Sequence, residues 1–396
     1  MSLSEDSNFN KQNGFNKQNR QCLLGFGCMR LPGDFEKSER LILHAIKNGV
    51  DYFDTAYIYP GKEVLLGKIL AKNKVRDRVK IATKLPIMLV KSAEDFDNFF
   101  NKQLSRLQTD YIDCYMLHML VNPAQLQGLI DMGLNDWVNK KKQSGEIREF
   151  GFSFHGSPND FIKLIDCGTI TQSRQCLWDF VMIQYNYLDT HCQAGIDGLR
   201  YAHSKGIPVI VMEPLRGGTL ANPKQIPKKA MKVFGSRNPA ELALKWLKNH
   251  EEISCILSGM RNKNDLESNL AAIDGEITEE ELEIIDEVTA IFREQNSINC
   301  TGCNYCLPCP VGVNIPGCFF AYNAKSLREY AMNTGALFSK STAAACVNCG
   351  KCEPKCPQAI AIGESLKKVK RRMEPFWIRW GFSLARKFTS KRRKKK

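Results

Sequence analysis

Between residues 22 and 275 the chain repeats one pattern eight times. A short run rich in β-branched and aromatic residues ends in polar ones, and an amphipathic helical stretch follows. The runs are Leu23–Met29, Tyr52–Ala56, Val79–Lys84, Tyr111–His118, Ile147–Phe154, Phe180–Tyr187, Ile207–Pro214 and Ser254–Met260. Between Ser38 and Gly49, residues Leu41, Ile42, Ala45 and Ile46 fall on one helical face, and Gly49 is placed to stop the helix. Strands alternating with helices form parallel sheets. Eight such units over about 250 residues predict a closed (β/α)8 TIM barrel. A doubly wound open sheet would carry G-x-G-x-x-G after its first strand. GFGCMR, Gly25 to Arg30, has only two of those glycines, which favours the barrel. A last helix from Thr278 to Phe292, opened by a capping box of Thr278 and Glu281, would close the domain.

Barrels of this kind keep their chemistry at the C-terminal ends of the strands. Three apolar runs end in a polar residue there: Asp54, Lys84 and His118; Tyr59 follows Asp54 by five positions. The stretches DYFDTAYIY and RLQTDYIDCYMLH, which hold Asp54, Tyr59 and His118, resemble the two signatures of the aldo/keto reductase family. The resemblance spans roughly residues 22 to 275. It implies an oxidoreductase that reduces a carbonyl, or oxidises an alcohol, with a nicotinamide cofactor. Tyr59 would be the general acid, Lys84 would lower its pKa, Asp54 would hold Lys84, and His118 would orient the carbonyl. Tyr57 lies off the family spacing and reads as a packing residue. The resemblance also assigns Ser153 and Gln184 to the nicotinamide carboxamide and Leu215 and Gly217 to a pyrophosphate loop. Arg261 and Asn269 would meet the adenosine phosphate. Glycine-rich turns and an arginine at a helix start suit phosphate. Three positions depart from the family. Phe154 and His155 follow Ser153, Met212 stands where an aromatic often stacks on nicotinamide, and Asp265 stands where a phosphate-binding side chain is common. NAD and NADP both remain open.

Nine of the sixteen cysteines lie between Cys300 and Cys356. No export signal opens the chain, so these cysteines read as metal or redox ligands in a cytoplasmic protein rather than as disulfides. The other seven read mostly as small buried hydrophobes. The run from Cys346 to Pro357 has the spacing C-x2-C-x2-C-x3-C-P, the bacterial ferredoxin pattern for a [4Fe–4S] cluster. Three cysteines at that spacing wrap one corner of a cubane, and the fourth ligates the neighbouring cluster in two-cluster ferredoxins. Cys300, Cys303 and Cys306 with Cys356 are therefore assigned to one cluster. Cys346, Cys349 and Cys352 with Cys309 are assigned to the other. The first run is one residue short before Cys309, which makes Cys318 its substitute. Zinc is the alternative, but four-cysteine zinc sites normally use two separate C-x-x-C pairs.

This region, including a helical spacer near Ser326 to Met332, resembles a mainly helical two-cluster ferredoxin domain. Fusion to the barrel resembles iron–sulfur members of the aldo/keto reductase family. Clusters pass single electrons, whereas nicotinamide passes hydride, and a flavin usually joins the two. No flavin motif is present; a redox partner, ferredoxin or flavoprotein, would be one source. An electron-transfer or docking subunit with an inactive barrel is the alternative function.

The formal net charge is +14, and from Leu366 to Lys396 there are 14 Lys or Arg against one acid, Glu374. The rest of the chain is near neutral, so no nucleic-acid-binding body is expected. Within the tail, Met373, Trp377, Trp380, Leu384 and Phe388 recur at helical spacing, with Arg379 and Arg386 opposite. Such a helix either contacts an anionic membrane surface or packs its aromatics on the ferredoxin domain. The expected organisation is a disordered segment over 1–20, where FNKQN occurs twice, a barrel over 21–293, a two-cluster domain over 294–365 and the tail over 366–396.

Overall fold

The computed structural model describes residues 23–169, 177–295, 298–323, 325–336 and 341–382. The segment 1–20, Cys22, Cys176, Leu384, Arg386 and Phe388 lie outside the described residues. The eight strands are β1 (Leu24–Gly27), β2 (Tyr52–Asp54), β3 (Lys80–Leu85), β4 (Ile112–Leu120), β5 (Ile147–Phe154), β6 (Phe180–Gln184), β7 (Val209–Met212) and β8 (Ile253–Ser258). Each pairs parallel with the next, and Leu24 opposite Ile256 joins β1 to β8, closing the barrel.

All eight expected strands form, several of them shorter than their apolar runs. β6 stops at Gln184 because Asn186 folds its carboxamide oxygen onto the amides of Leu188 and Asp189, which ends the extended path. β7 stops where Glu213 takes a positive φ of 57°. The helix expected near Ser38 runs Phe35–Lys47, capped by Asp34 accepting from Lys37 N, and buries Leu41, Ile42, Ala45 and Ile46 as the spacing requires. Gly49 beyond it has φ 84°.

Successive strand side chains alternate between faces, so one face of each strand fills the barrel. Tyr52, Ala82, Cys114, Met116, Phe180, Met182, Ile210, Cys255 and Leu257 form that inner core. Gly25 gives the core its room: a Cβ there would lie 2.6 Å from Leu257 and 2.8 Å from the Cys255 sulfur.

The chain divides into two compact units. The first comprises the described residues up to Tyr185, with Gln193–Met212 and Leu247–Gly275, and holds the whole sheet. The second comprises Asn186–Cys192, Glu213–Trp246 and the residues from Glu276 onward. Its helix Glu279–Gln295 opens with the capping box, Thr278 N to Glu281 and Glu281 N to the Thr278 hydroxyl. That helix packs Ile285, Val288 and Phe292 against Leu220, Ile226 and Phe234. A separate core gathers helices Ile315–Asn323, Leu327–Thr334 and Ile362–Met373 around Phe319, Tyr330 and Val369.

Met373 belongs to this core and is 2% exposed, so it leaves the apolar stripe that the tail spacing suggested. The helix ends there, and Glu374 turns inward. Its buried carboxylate accepts from the Tyr330 hydroxyl at 2.6 Å, the Thr342 hydroxyl at 3.0 Å and Ala344 N at 2.8 Å. Truncation would leave two buried donors and one half-buried donor without their acceptor, at about 1–3 kcal/mol for an unsatisfied group. Glu374→Ala should therefore destabilise this unit by about 3 kcal/mol. Urea titration followed by circular dichroism measures it, and a midpoint equal to wild type would refute the role.

Candidate active site and cluster cavities

The inward alternation carries directly into the site. Two residues beyond Tyr52 is Asp54; two beyond Ala82 is Lys84; two beyond Met116 is His118; two beyond Met182 is Gln184. Because the strands are parallel, these polar groups form the top layer of the barrel at its C-terminal end. Ser153, next to last in β5, and Ser258, last in β8, complete the ring of strand-end polar groups.

Lys84 is 2% exposed. Its ammonium donates to Asp54 at 2.5 Å and to the Thr55 carbonyl at 2.7 Å. Burial pushes the Asp54 carboxyl up, and the Lys84 charge pulls back against it. Tyr59 lies in the loop after β2, held by Tyr59 N to Ala56 O and Lys62 N to Tyr59 O. The Lys84 ammonium is 5.4 Å from the Tyr59 ring centre, and the Tyr59 and His118 rings stand edge to face with centres 6.2 Å apart. The structure thus brings Asp54, Tyr59, Lys84 and His118 together. Burial first, then the charges of Lys84 and His155, drive the His118 pKa well below its ordinary value, so its imidazole is neutral. Its Nδ1 is buried without a hydrogen-bond partner among the described residues. A neutral imidazole has one N–H to give and one nitrogen to accept with.

Ser153 is 1% exposed; its hydroxyl accepts from Met119 N at 3.0 Å and donates to Leu117 O at 3.4 Å. It braces the backbone around His118, where Met119 has a positive φ of 64°. Gln184 is equally buried and accepts from Gln193 at 3.0 Å. Asn269 donates to the Ser258 hydroxyl at 2.7 Å. Arg261 is exposed just before the helix Lys263–Asp274, and Asp265 reaches back to its guanidinium at 3.4 Å and its amide at 3.1 Å. In the second unit, Leu215 and Gly217 lie in the turn after Glu213. Gly217 has φ 66°, and Arg216 is clamped to Asp189 in a buried ion pair at 2.9 Å.

Several site residues escaped the sequence pattern. Glu63, 1% exposed, accepts from Thr83 at 2.7 Å, Gln103 at 2.6 Å and Arg106 at 2.8 Å. Gln103 also donates to Lys84 O, and Arg106 to Tyr57 O, so this network braces the backbone beside both Lys84 and Tyr59. The available signal was Gln103 itself, a polar residue on the apolar stripe of Phe96, Phe100 and Leu107. Tyr57 packs edge-on against Phe99 and under Arg106, in keeping with its off-spacing position. Cys28, the first residue after β1, is fully buried; burial and then Asp54 push its thiol far up, which leaves it a small inert group. Burial, and next Lys84, bring His155 down to about 4.

In the second unit, the cysteines ring two cavities. One is lined by Cys300, Cys303, Cys306 and Cys356. The other is lined by Cys309, Cys346, Cys349 and Cys352, with Cys306 at the wall between them. The two loops share one backbone design. Residues two and four beyond the first cysteine have positive φ in both: Gly302 and Asn304, Asn348 and Gly350. In both, the amide two residues on donates to the first cysteine sulfur at 3.4 Å, Gly302 N to Cys300 and Asn348 N to Cys346. These left-handed turns curl the chain so that successive sulfurs face one cavity. Among the described residues no three Cys, His, Asp or Glu side chains gather closely enough to hold a single metal ion. The thiols surround the cavities instead.

Burial pushes Cys300 up to about 11 and Cys306 up to about 12, and a metal's positive charge would favour their thiolates. Cys318 lines neither cavity; it is fully buried with its sulfur 3.9 Å from the Tyr330 hydroxyl. Of the scattered cysteines, Cys114 and Cys255 are buried as expected, whereas Cys167 is exposed and Cys192 is half-buried, donating to Gln358.

Comparison with known proteins accords with this geometry. L-galactose dehydrogenase of Arabidopsis thaliana is 29% identical over 303 residues, covering 68% of this chain and 90% of that protein. An aldo-keto reductase of Mycolicibacterium vanbaalenii is 28% identical over 280 residues, covering 68% and 89%. Among solved structures, the holo form of aldo-keto reductase AKR11C1 from Bacillus halodurans matches with a TM-score of 0.55 at 26% identity, covering 67% and 91%. The profile of the 4Fe-4S dicluster domain matches residues 299–362. The profile of the aldo/keto reductase family matches residues 23–290, more than half of the chain, so the protein is an oxidoreductase of the aldo/keto reductase family joined to a 4Fe-4S dicluster domain.

Proposed function

We propose that the protein reduces a small-molecule carbonyl, or oxidises the corresponding alcohol, at the barrel mouth, with electrons exchanged through two [4Fe–4S] clusters. The observation that carries this reading is the convergence of the half-buried Tyr59 on the buried polar groups Asp54, Lys84 and His118. A bound nicotinamide dinucleotide would supply the hydride. Ser153 and Gln184 would hold its carboxamide, and both are buried polar groups at strand ends next to those groups. Leu215 and Gly217 would hold its pyrophosphate, and Arg261 and Asn269 its adenosine phosphate.

The chain's own contribution is proton transfer and charge. Tyr59 donates its phenolic proton to the carbonyl oxygen as negative charge develops there. An ammonium this close to a phenol stabilises the phenolate that donation leaves behind. Lys84 is fixed for that task by Asp54 and Thr55 O. His118, being neutral, gives an N–H to the same oxygen and adds no charge that would compete with Lys84. Cys300, Cys303, Cys306 and Cys356 hold one cluster and Cys309, Cys346, Cys349 and Cys352 the other. The chemistry the clusters would supply is one-electron transfer, and a flavin on a redox partner protein would convert between those single electrons and the two-electron hydride of the nicotinamide.

The exposed Arg261–Asp265 pair bears on nucleotide choice. Asp265 occupies the guanidinium and would repel a 2′-phosphate. Asp265→Asn keeps the shape and removes the charge, and an exposed pair is worth under about 1 kcal/mol. The Kd for NADPH relative to NADH should therefore fall by about fivefold in this variant. Titration of both dinucleotides checks it, and an unchanged ratio would separate Asp265 from phosphate discrimination. Turnover of an aromatic aldehyde with NADPH and NADH tests the function itself. No turnover by iron-replete protein with either would favour an electron-transfer subunit.

A further inference from the structure

The basic C-terminal segment has no part in the chemistry above, and its described beginning has an unusual surface. Three aromatic side chains within five residues are turned outward: Phe376 is 74% exposed, Trp377 60% and Trp380 67%. Burying large aromatics is among the strongest favourable terms available to a chain, so an exposed cluster calls for a partner. The aromatics had two expected destinations, and packing on the ferredoxin-type core is one that the structure gives to other residues. Met373 and, in part, Phe382 fill that core, and Glu374 is pinned by Tyr330, Thr342 and Ala344. These anchors on either side present residues 376–380, in helical conformation, with Phe376 edge-on to Trp377.

From Leu366 onward the exposed charge along this segment has one sign. Lys368, Lys370, Arg371, Arg372 and Arg379 are all exposed. The one acid from Leu366 to Lys396 is Glu374, buried in its hydrogen bonds, so it offsets nothing at the surface. Further along the sequence, Leu384 and Phe388 continue the apolar spacing and SKRRKKK adds six more bases. No helix of the described residues is long and apolar enough to cross a membrane.

We propose that this segment docks on an anionic lipid surface, with Phe376, Trp377 and Trp380 entering the headgroup region and the flanking bases contacting lipid phosphates. Tryptophan prefers that interface, and each Lys or Arg near it adds about 1 kcal/mol on an anionic leaflet. Aromatic insertion and charge together supply the two signals that stable peripheral binding needs.

The test uses anaerobically purified, iron-replete full-length protein. It is sedimented with vesicles of phosphatidylcholine alone or containing about a third phosphatidylglycerol. Binding to the anionic vesicles should be at least tenfold stronger, should weaken as salt rises, and should shift tryptophan emission to the blue. Trp377→Ser with Trp380→Ser should cut binding at least tenfold at unchanged iron content, since both side chains are exposed. Three results would overturn the proposal: no binding to anionic vesicles, equal binding by the double variant, or tighter binding to a single-stranded oligonucleotide than to the vesicles. None of them touches the oxidoreductase reading, whose readout is turnover.

Discussion

Tyr59→Phe should lower turnover of an aldehyde probe such as 4-nitrobenzaldehyde by about 10²- to 10⁴-fold, the range that a positioned general acid contributes. The substitution removes one oxygen and keeps the ring, so its edge-to-face contact with His118 and its place beside Lys84 persist. The Asp54–Lys84 pair does not depend on the hydroxyl and stays intact. NADPH affinity should therefore change little, and the loss should fall on kcat rather than on nucleotide binding. Stopped-flow turnover with a parallel fluorescence titration of NADPH separates the two. Unaltered turnover would remove Tyr59 as the proton donor; equal losses of turnover and nucleotide binding would point to a collapsed site.

Cys309→Ala should reduce the iron content from about eight to about four per chain and spare the cluster proposed for the cavity of Cys300, Cys303, Cys306 and Cys356. The reason is geometric. Cys309 follows Cys306 in sequence, yet it lines the cavity of Cys346, Cys349 and Cys352, while Cys356 lines the other. Each cysteine run therefore lends its last thiol to its neighbour's cavity. Cys356→Ala should show the complementary loss. Cys318→Ala should retain about eight irons, because that thiol packs against Tyr330 away from both cavities. Iron and sulfide analysis with EPR of the reduced proteins reads each outcome. A Cys309 variant that keeps both clusters, or a Cys318 variant that loses one, would reverse the pairing.

Two short-range regularities carry most of what is legible in the amino-acid sequence. The period of two along a strand, together with a polar residue at its end, is enough to propose Asp54, Lys84 and His118 for the barrel mouth. The fixed spacing of the cysteines is enough to propose clusters, since a loop of two residues leaves few ways for successive sulfurs to converge. Both signals are local, and the backbone answers to them directly, through the inward alternation of β2 to β4 and the paired left-handed turns of the two cysteine loops.

The remaining features depend on segments far apart in the chain. Glu63, Gln103 and Arg106 form a network only because the helix after β2 packs on the helix after β3, and nothing in the spacing of either helix announces the other. Glu374 is a lone acid in a basic run until Tyr330, Thr342 and Ala344 surround it. That capture takes Met373 into a core and leaves Phe376, Trp377 and Trp380 outside, although their spacing is continuous. Residue order therefore narrows which side chains are placed for chemistry, because strand pleat and loop length act over a few residues. Which cavity Cys309 faces, which carboxylate is buried and which aromatics are exposed follow from tertiary packing, because long-range burial chooses among arrangements that local geometry leaves equal.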